Sequence, residues 1–349
     1  MKLAALIQRY EPQFTAKYQY RMRPEHRRAL HAIKRCRTPD SGTVQWHCRV
    51  CDEQLHQPRS CGHRSCPQCQ NHETTQWLAR QQTKLLPADY FMVTFTLPQA
   101  LRSLAWRHPK PVYRLLLATA ASTLKDFGLN PQWLGGQIGM TTVLHTHSRR
   151  LDYHPHCHVI VPGGAVDTGR KQWKKPRSKY LFNGMALAKV FRARFLQALK
   201  TEGLSPPVGV PDQWVAHCKY IGKGQPALAY LSRYLYRGVL GERHIVADSD
   251  GQVTFQYTDS ATGHPRYRTL PGEDFLWLLL QHVLPKGFRR VRDYGFLHGN
   301  AKPLLRLVQW TLRVIVAPPP NRPRPAIPCP NCRTPMQVAR TFGPAWLPG

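Results

Sequence analysis

Nine residues, Tyr153-His154-Pro155-His156-Cys157-His158-Val159-Ile160-Val161, restrict this chain more than any other segment. Read as a β-strand, they turn Cys157, Val159 and Val161 toward a core and put His156 and His158 together on the opposite face. Two imidazoles at i and i+2 can share one metal ion. Further on, Tyr230 and Tyr234 stand at i and i+4, which places both on one face if the segment is helical. A metal-bearing strand beside a tyrosine-bearing helix predicts phosphodiester chemistry, with the metal polarising a phosphate and a phenol oxygen attacking it. Taken separately, an H-x-H is more often a polar strand face and paired tyrosines are more often amphipathic packing.

Charge shifts that balance. Lys and Arg total 50 against 19 Asp and Glu, a net charge of +31. So large an excess of one sign points to a polyanionic partner and away from an ordinary metabolic enzyme. The cations are dispersed and do not form one amphipathic face, and nine Trp within 10% aromatic residues suit base stacking. Nucleic acid is therefore the expected partner, not a membrane surface.

No apolar run reaches membrane-spanning length; Phe275-Leu276-Trp277-Leu278-Leu279-Leu280 is far too short. The start, Met1 to Ile7, meets Gln8 and Arg9 before a signal-peptide core can form, so a cytoplasmic protein, associated with the nucleoid through DNA, is expected. In a reducing compartment, paired cysteines mean metal more often than disulfides. Residues 36–69 hold Cys36, Cys48-x-x-Cys51, Cys61 and Cys66-x-x-Cys69. Two such knuckles predict a structural zinc ribbon, each supplying two thiolates from one tight turn. The simplest ligand set is Cys48, Cys51, Cys66 and Cys69, which leaves Cys36 and Cys61 to complete a second site or to replace a ligand in the first. Cys329-Pro330-Asn331-Cys332 is a further knuckle, needing partners from elsewhere in the chain or from another chain, or binding nothing.

The order of elements predicts an α+β fold around a central antiparallel sheet with flanking helices, preceded by a zinc-ribbon-like module. Basic helices over 1–35 and the cysteines lead to a polar helix from Glu73 to Leu86. Strands are expected at Tyr90–Leu97, Gly136–His145 and the His156 segment, with a long helix over Pro111–Phe127 between the first two. A helix near Ala186–Lys200 and strands at Trp214–Tyr220, Val253–Tyr257 and Arg266–Leu270 follow. Three regions result: 1–87 helical and zinc-binding, 88–300 catalytic, and 301–349 a basic Pro-rich tail. The tyrosine helix carries Pro226 at its first position, a Leu228, Leu231 and Leu235 stripe, and Gly238 as its stop. Tyr230, Tyr234 and Arg237 then share another face. Before it, Lys219, Gly222, Lys223 and Gly224 read as a basic flexible loop able to approach phosphates, or as a merely solvated turn.

A specific series of motifs, in order, spans nearly the whole chain. It runs Cys61-x4-Cys66-Pro67-x-Cys69-Gln70, Leu86-Pro87-x2-Tyr90-Phe91, Phe95-Thr96-Leu97-Pro98, Leu144-His145-Thr146, His154-Pro155-His156-x-His158-x2-Val161-Pro162-Gly163-Gly164, Tyr230-Leu231-x-Arg233-Tyr234 and His282-Val283-Leu284-Pro285-Lys286-Gly287-Phe288. The series resembles the HUH-type rolling-circle transposases of the two-tyrosine insertion-sequence group, whose nuclease domain is related to replication initiators and relaxases. The resemblance implies His156 and His158 as the metal pair and Tyr230 and Tyr234 as nucleophiles. For the third ligand, His145 on a neighbouring strand sits within a cross-strand spacing of about 5 Å; His154 shares the face but lies beside Pro155 at a strand margin. His145 is preferred. Mg²⁺ or Mn²⁺ fits better than a catalytic zinc, because phosphate oxygens and waters must share the shell.

The expected reaction cleaves and rejoins single-stranded DNA at element ends through a 5′-phosphotyrosine, with Lys219, Lys223, Arg233 and Arg237 contacting DNA and with room for a homo-oligomer. A plasmid or phage replication initiator would use the same chemistry. A non-catalytic zinc-ribbon regulator would bind nucleic acid without cleaving it.

Overall fold

The computed structural model describes residues 2–176, 178–224, 226, 239–259, 261–318 and 326–344. Its centre is a five-stranded sheet built from β3 (Asp89–Thr96), β4 (Gly139–His147), β5 (Tyr153–Pro162), β8 (Ala216–Lys223) and β12 (Val291–Gly295), in the spatial order β12-β4-β5-β3-β8. Every neighbouring pair is antiparallel. Here β6 (Ala165–Asp167) and β7 (Gln172–Lys174) form a short side hairpin, and β1 (Thr43–His47), β2 (Gln54–Pro58), β9 (Ile245–Ser249), β10 (Gln252–Thr258), β11 (Pro265–Pro271) and β13 (Gln337–Phe342) build two three-stranded sheets.

Alternation decides which face is dry. Phe91, Val93 and Phe95 of β3 and Cys157, Val159 and Val161 of β5 are buried together under two helices, α5 (Pro109–Leu129) and α6 (Gly184–Thr201). Pro109 starts α5 where its missing N–H costs nothing. Asn183 caps α6, its side chain accepting a hydrogen bond from the Ala186 N–H at 3.0 Å. The other face is partly covered by α3 (Asn71–Gln82), whose Trp77 packs with Met92, Val143 and Ile160. His145, His156 and His158 lie on that same face and are buried.

A second core joins the two N-terminal helices, α1 (Leu3–Tyr18) and α2 (Pro24–Lys34), to the β9–β11 sheet and α7 (Gly272–Leu280). Phe14, Phe255 and Phe275 are fully buried in it. Tyr18 stacks on Trp277 with ring centroids 4.9 Å apart and donates to Asp274 at 2.6 Å. Two further helices, α4 (Arg102–Arg107) and α8 (Lys302–Thr311), complete the α-helices given bounds among the described residues.

The expected antiparallel α+β architecture is the one found. Lys219 to Lys223, expected as a flexible loop, instead continue strand β8, because Cys218 and Tyr220 pack inward and the backbone pairs with β3 from Phe95 back to Asp89. The segment carrying Tyr230, Arg233, Tyr234 and Arg237 lies outside the described residues.

Candidate active site and cysteine clusters

Register brings the histidines together. His156 of β5 lies directly across from His145 of β4, and His158 follows two residues on, opposite Val143. A bulge in the pairing between His145 and His147 adds local twist at this end of the strand pair. The rings of His145 and His158 stack at 4.4 Å, His145 meets His156 edge-on at 5.2 Å, and His156 is 5.0 Å from His158. One ring nitrogen from each of these three residues lies within 4.8 Å of the others, so a single ion can bridge all three.

Their protonation suits that task. Removal from water, and then the neighbouring imidazoles, push His145 well below the ordinary histidine value, His156 to about 3 and His158 to about 4. All three are neutral near pH 7 and offer lone pairs without first releasing a proton. The Nδ1–H of His156 donates to the His154 carbonyl at 2.7 Å, which leaves Nε2 as its ligand atom. His158 Nδ1 rests 3.1 Å from the Met92 sulfur. His154, its ring 5.1 Å from that of His156, is engaged elsewhere: its Nδ1 accepts from the Arg102 guanidinium at 2.7 Å. Three neutral ligands would leave a divalent ion its full positive charge, which anionic carboxylate ligands would offset.

The strand partners extend this face toward the sheet edge. Thr94 pairs with His158 on one side and His217 on the other, and Met92 pairs with Ile160 and Lys219. His217 and Lys219 are therefore exposed on the same face as the imidazoles, and Lys223 is exposed at the end of the strand. A separate basic groove runs between α5 and β12, with Lys110, Arg289 and Arg292 on its walls. In it Lys125 lies over Tyr294 at 5.7 Å and Arg292 over Phe288 at 5.3 Å, cations seated on rings. Sequence reading passed over this groove, since no spacing links residues so far apart.

The cysteines sort differently from the simplest expectation. Cys36, Cys61, Cys66 and Cys69 converge in one cluster, and Cys48 and Cys51 join Cys329 and Cys332 in another. The set Cys48, Cys51, Cys66 and Cys69 is thus corrected: the β1–β2 hairpin carries Cys48 and Cys51 away from the other knuckle, and Cys36, just past the end of α2, and Cys61 take their place. In the first cluster, sulfur separations are 3.6 Å for Cys36–Cys69 and Cys61–Cys69 and 3.7 Å for Cys36–Cys66. A tetrahedral zinc with bonds of about 2.3 Å holds its sulfurs about 3.8 Å apart, so the donors fit. Cys36, Cys66 and Cys69 are also part of the second hydrophobic core, which ties this cluster to α1, α2 and α7.

A family described as "Transposase zinc-binding domain", that of IS91, matches residues 6–97, and one described as "Putative transposase" matches residues 139–303. A Sinorhizobium fredii protein named "Putative transposase y4qJ" is 32% identical over 326 residues, covering 86% of this chain and 80% of the relative. The chain belongs to the IS91 family of transposases. The transposase for insertion sequence element IS801 of Pseudomonas savastanoi pv. phaseolicola is 27% identical over 75% of this chain and 68% of its own. A solved structure of the conjugative relaxase TrwC with oriT DNA aligns over 65% of this chain and 73% of that one at 13% identity, with a TM-score of 0.27, at which the likeness carries no argument. This transposase is thus a DNA-acting enzyme with a zinc-binding module. No described helix is long and apolar enough to cross a membrane.

Proposed function

We propose that this transposase cleaves and rejoins single-stranded DNA at its element ends through a 5′-phosphotyrosine. The observation that carries the reading is the convergence of His145, His156 and His158, all neutral, on one sheet face that also presents Lys219. Mg²⁺ or Mn²⁺ bound by these imidazoles would polarise a phosphodiester and offset charge that develops on it. The chain supplies the rest. Lys219 and Lys223 draw the backbone along the face, and the Tyr230 or Tyr234 phenolate attacks phosphorus, forming a P–O bond to tyrosine while the bond to the 3′ oxygen breaks. That oxygen takes a proton and departs as a 3′-OH, and the reverse attack by another 3′-OH restores a phosphodiester and frees the tyrosine. Bond energy is conserved throughout, so no nucleotide cofactor enters.

The test uses an end-derived single-stranded oligonucleotide labelled at either terminus. Wild-type protein with Mn²⁺ should yield a free 3′-OH fragment and a protein adduct on the 5′ side. His156→Ala and His158→Ala should lose cleavage by on the order of 100-fold or more while DNA affinity stays within about threefold. Tyr230→Phe and Tyr234→Phe should each keep some cleavage but lose transposition, and the double variant should form no adduct. Adduct formation by the double variant, or full metal-dependent cleavage by either histidine variant, overturns the assignment.

A further inference from the structure

The two family domains end at residues 97 and 303, yet Cys329 and Cys332 lie beyond both. From their placement we infer a second zinc site, distinct from the cluster in the N-terminal module, that the two ends of the chain build jointly. Cys48 and Cys51 supply one half, and Cys329 and Cys332 the other. Sulfur separations across the halves are 3.4 Å for Cys48–Cys332, 3.5 Å for Cys51–Cys329 and 3.6 Å for Cys51–Cys332. These are too long for a disulfide at about 2.0 Å and close to the tetrahedral edge of a zinc tetrathiolate.

The backbone makes the same statement independently of the sulfurs. Each half is the same turn: the Asp52 N–H bonds the Cys48 carbonyl at 3.0 Å, and the Arg333 N–H bonds the Cys329 carbonyl at 3.0 Å. In each, the residue after the second cysteine is left-handed, Asp52 at φ 62° and Arg333 at φ 63°. Adopting that conformation is uncommon for such residues, and here it turns the amide groups and both sulfurs toward one point. Around the sulfurs, Asn331 donates to Glu53 at 2.8 Å, and Met336 is buried with Cys48 and Cys329 against Trp46 and Leu55.

Each hairpin alone exposes an edge. Together they form one sheet, β13-β1-β2, with Thr43 paired to Phe342 and His47 to Gln337. The ribbon is therefore discontinuous in sequence: nearly 280 residues, including the catalytic sheet, separate its halves. Four thiolates leave no position for substrate, so the ion acts as a clasp that holds the C-terminal segment on the N-terminal module. Because neither half offers four ligands alone, docking of the tail and metal binding at this site should be one event.

The experiment measures zinc per chain on the full-length protein and amide exchange in β1 and β13. Wild type should carry two zinc ions per chain; Cys329→Ser/Cys332→Ser should carry one, and amides of β1 should exchange about tenfold faster or more. The reciprocal Cys48→Ser/Cys51→Ser should release β13 although its substitutions lie at the other end of the sequence. If that variant fails to fold, the tail variant decides alone, since its altered residues touch only the small core beside the cluster and neither of the two large ones. One zinc in wild type, two in the tail variant, or unchanged β1 exchange would each overturn the clasp. So would a zinc-dependent dimer in which the tail of one copy serves the other.

Discussion

His26 shows how a single buried group writes pH dependence into this chain. It is fully buried, stacked on Trp106 at 5.8 Å and edge-on to Trp277 at 5.9 Å, and its Nδ1 accepts from the Arg23 N–H at 3.2 Å. Desolvation, and then the Arg23 charge, push it down to about 4. The unfolded chain, with an ordinary histidine near 6.5, binds more protons below that pH than the folded one. The stability tied to neutral His26 is therefore complete above about pH 6.5 and is lost as pH falls toward 4. Between pH 7.5 and 5.0 this group accounts for about 2 kcal/mol. His26→Gln should be less stable than wild type at pH 7.5 but should lose about 2 kcal/mol less over that interval, read from urea midpoints; equal losses would show that His26 does not carry this dependence. Among the other residues, the placement of His145 beside His156 was legible in the sequence because strand register is a simple constraint. The cysteine partition was not. Spacing pairs cysteines within a knuckle but says nothing about which knuckles meet, and Cys48 meets Cys329 only through the folded path of the whole chain.

At the level of elements, strong periodicity read true and edges did not. The helix expected over Pro111–Phe127 is α5 at Pro109–Leu129, and the strand expected at Tyr90–Leu97 is β3 at Asp89–Thr96. Both are buried in the main core, so their apolar patterns are dense. Strands β1, β2, β12 and β13 escaped notice: they are short, polar and half-exposed, and pairing partners rather than their own side chains stabilise them. Sheet β12-β4 shows what such pairing demands. Gly139 pairs with Gly295, and a Cβ placed at Gly139 would lie 2.4 Å from the ring of Phe296, which is itself fully buried. Gly139→Ala should thus destabilise by about 1–3 kcal/mol through overpacking. Gly299→Ala, with nothing within 4 Å of the new methyl, should be close to neutral. A lowered urea midpoint in the first variant alone, with zinc content unchanged in both, is the expected pattern; equal midpoints would mean that β12 shifts freely to accept a side chain.

Across the whole molecule, the proposed function divides the labour: a net charge of +31 would hold DNA, and the three imidazoles would act on it. The cations are spread over the sheet edge at Lys219 and Lys223 and the groove of Lys110, Lys125 and Arg292, so affinity should be a sum of many small phosphate contacts. Each contact releases a condensed counterion, and for a single strand log affinity falls against log salt with a slope of about 0.7 per phosphate neutralised. Lys219→Ala and Lys223→Ala should therefore each weaken single-strand binding and flatten that slope by about 0.7, nearly independently of sequence. His156→Ala should leave the slope unchanged, because a neutral imidazole neutralises no phosphate. Titrating one labelled strand at several salt concentrations, without divalent metal, separates the two roles. If either lysine variant keeps the wild-type slope, that side chain does not touch the backbone, and the path of the strand must leave the β8 edge for another basic face such as the α5–β12 groove.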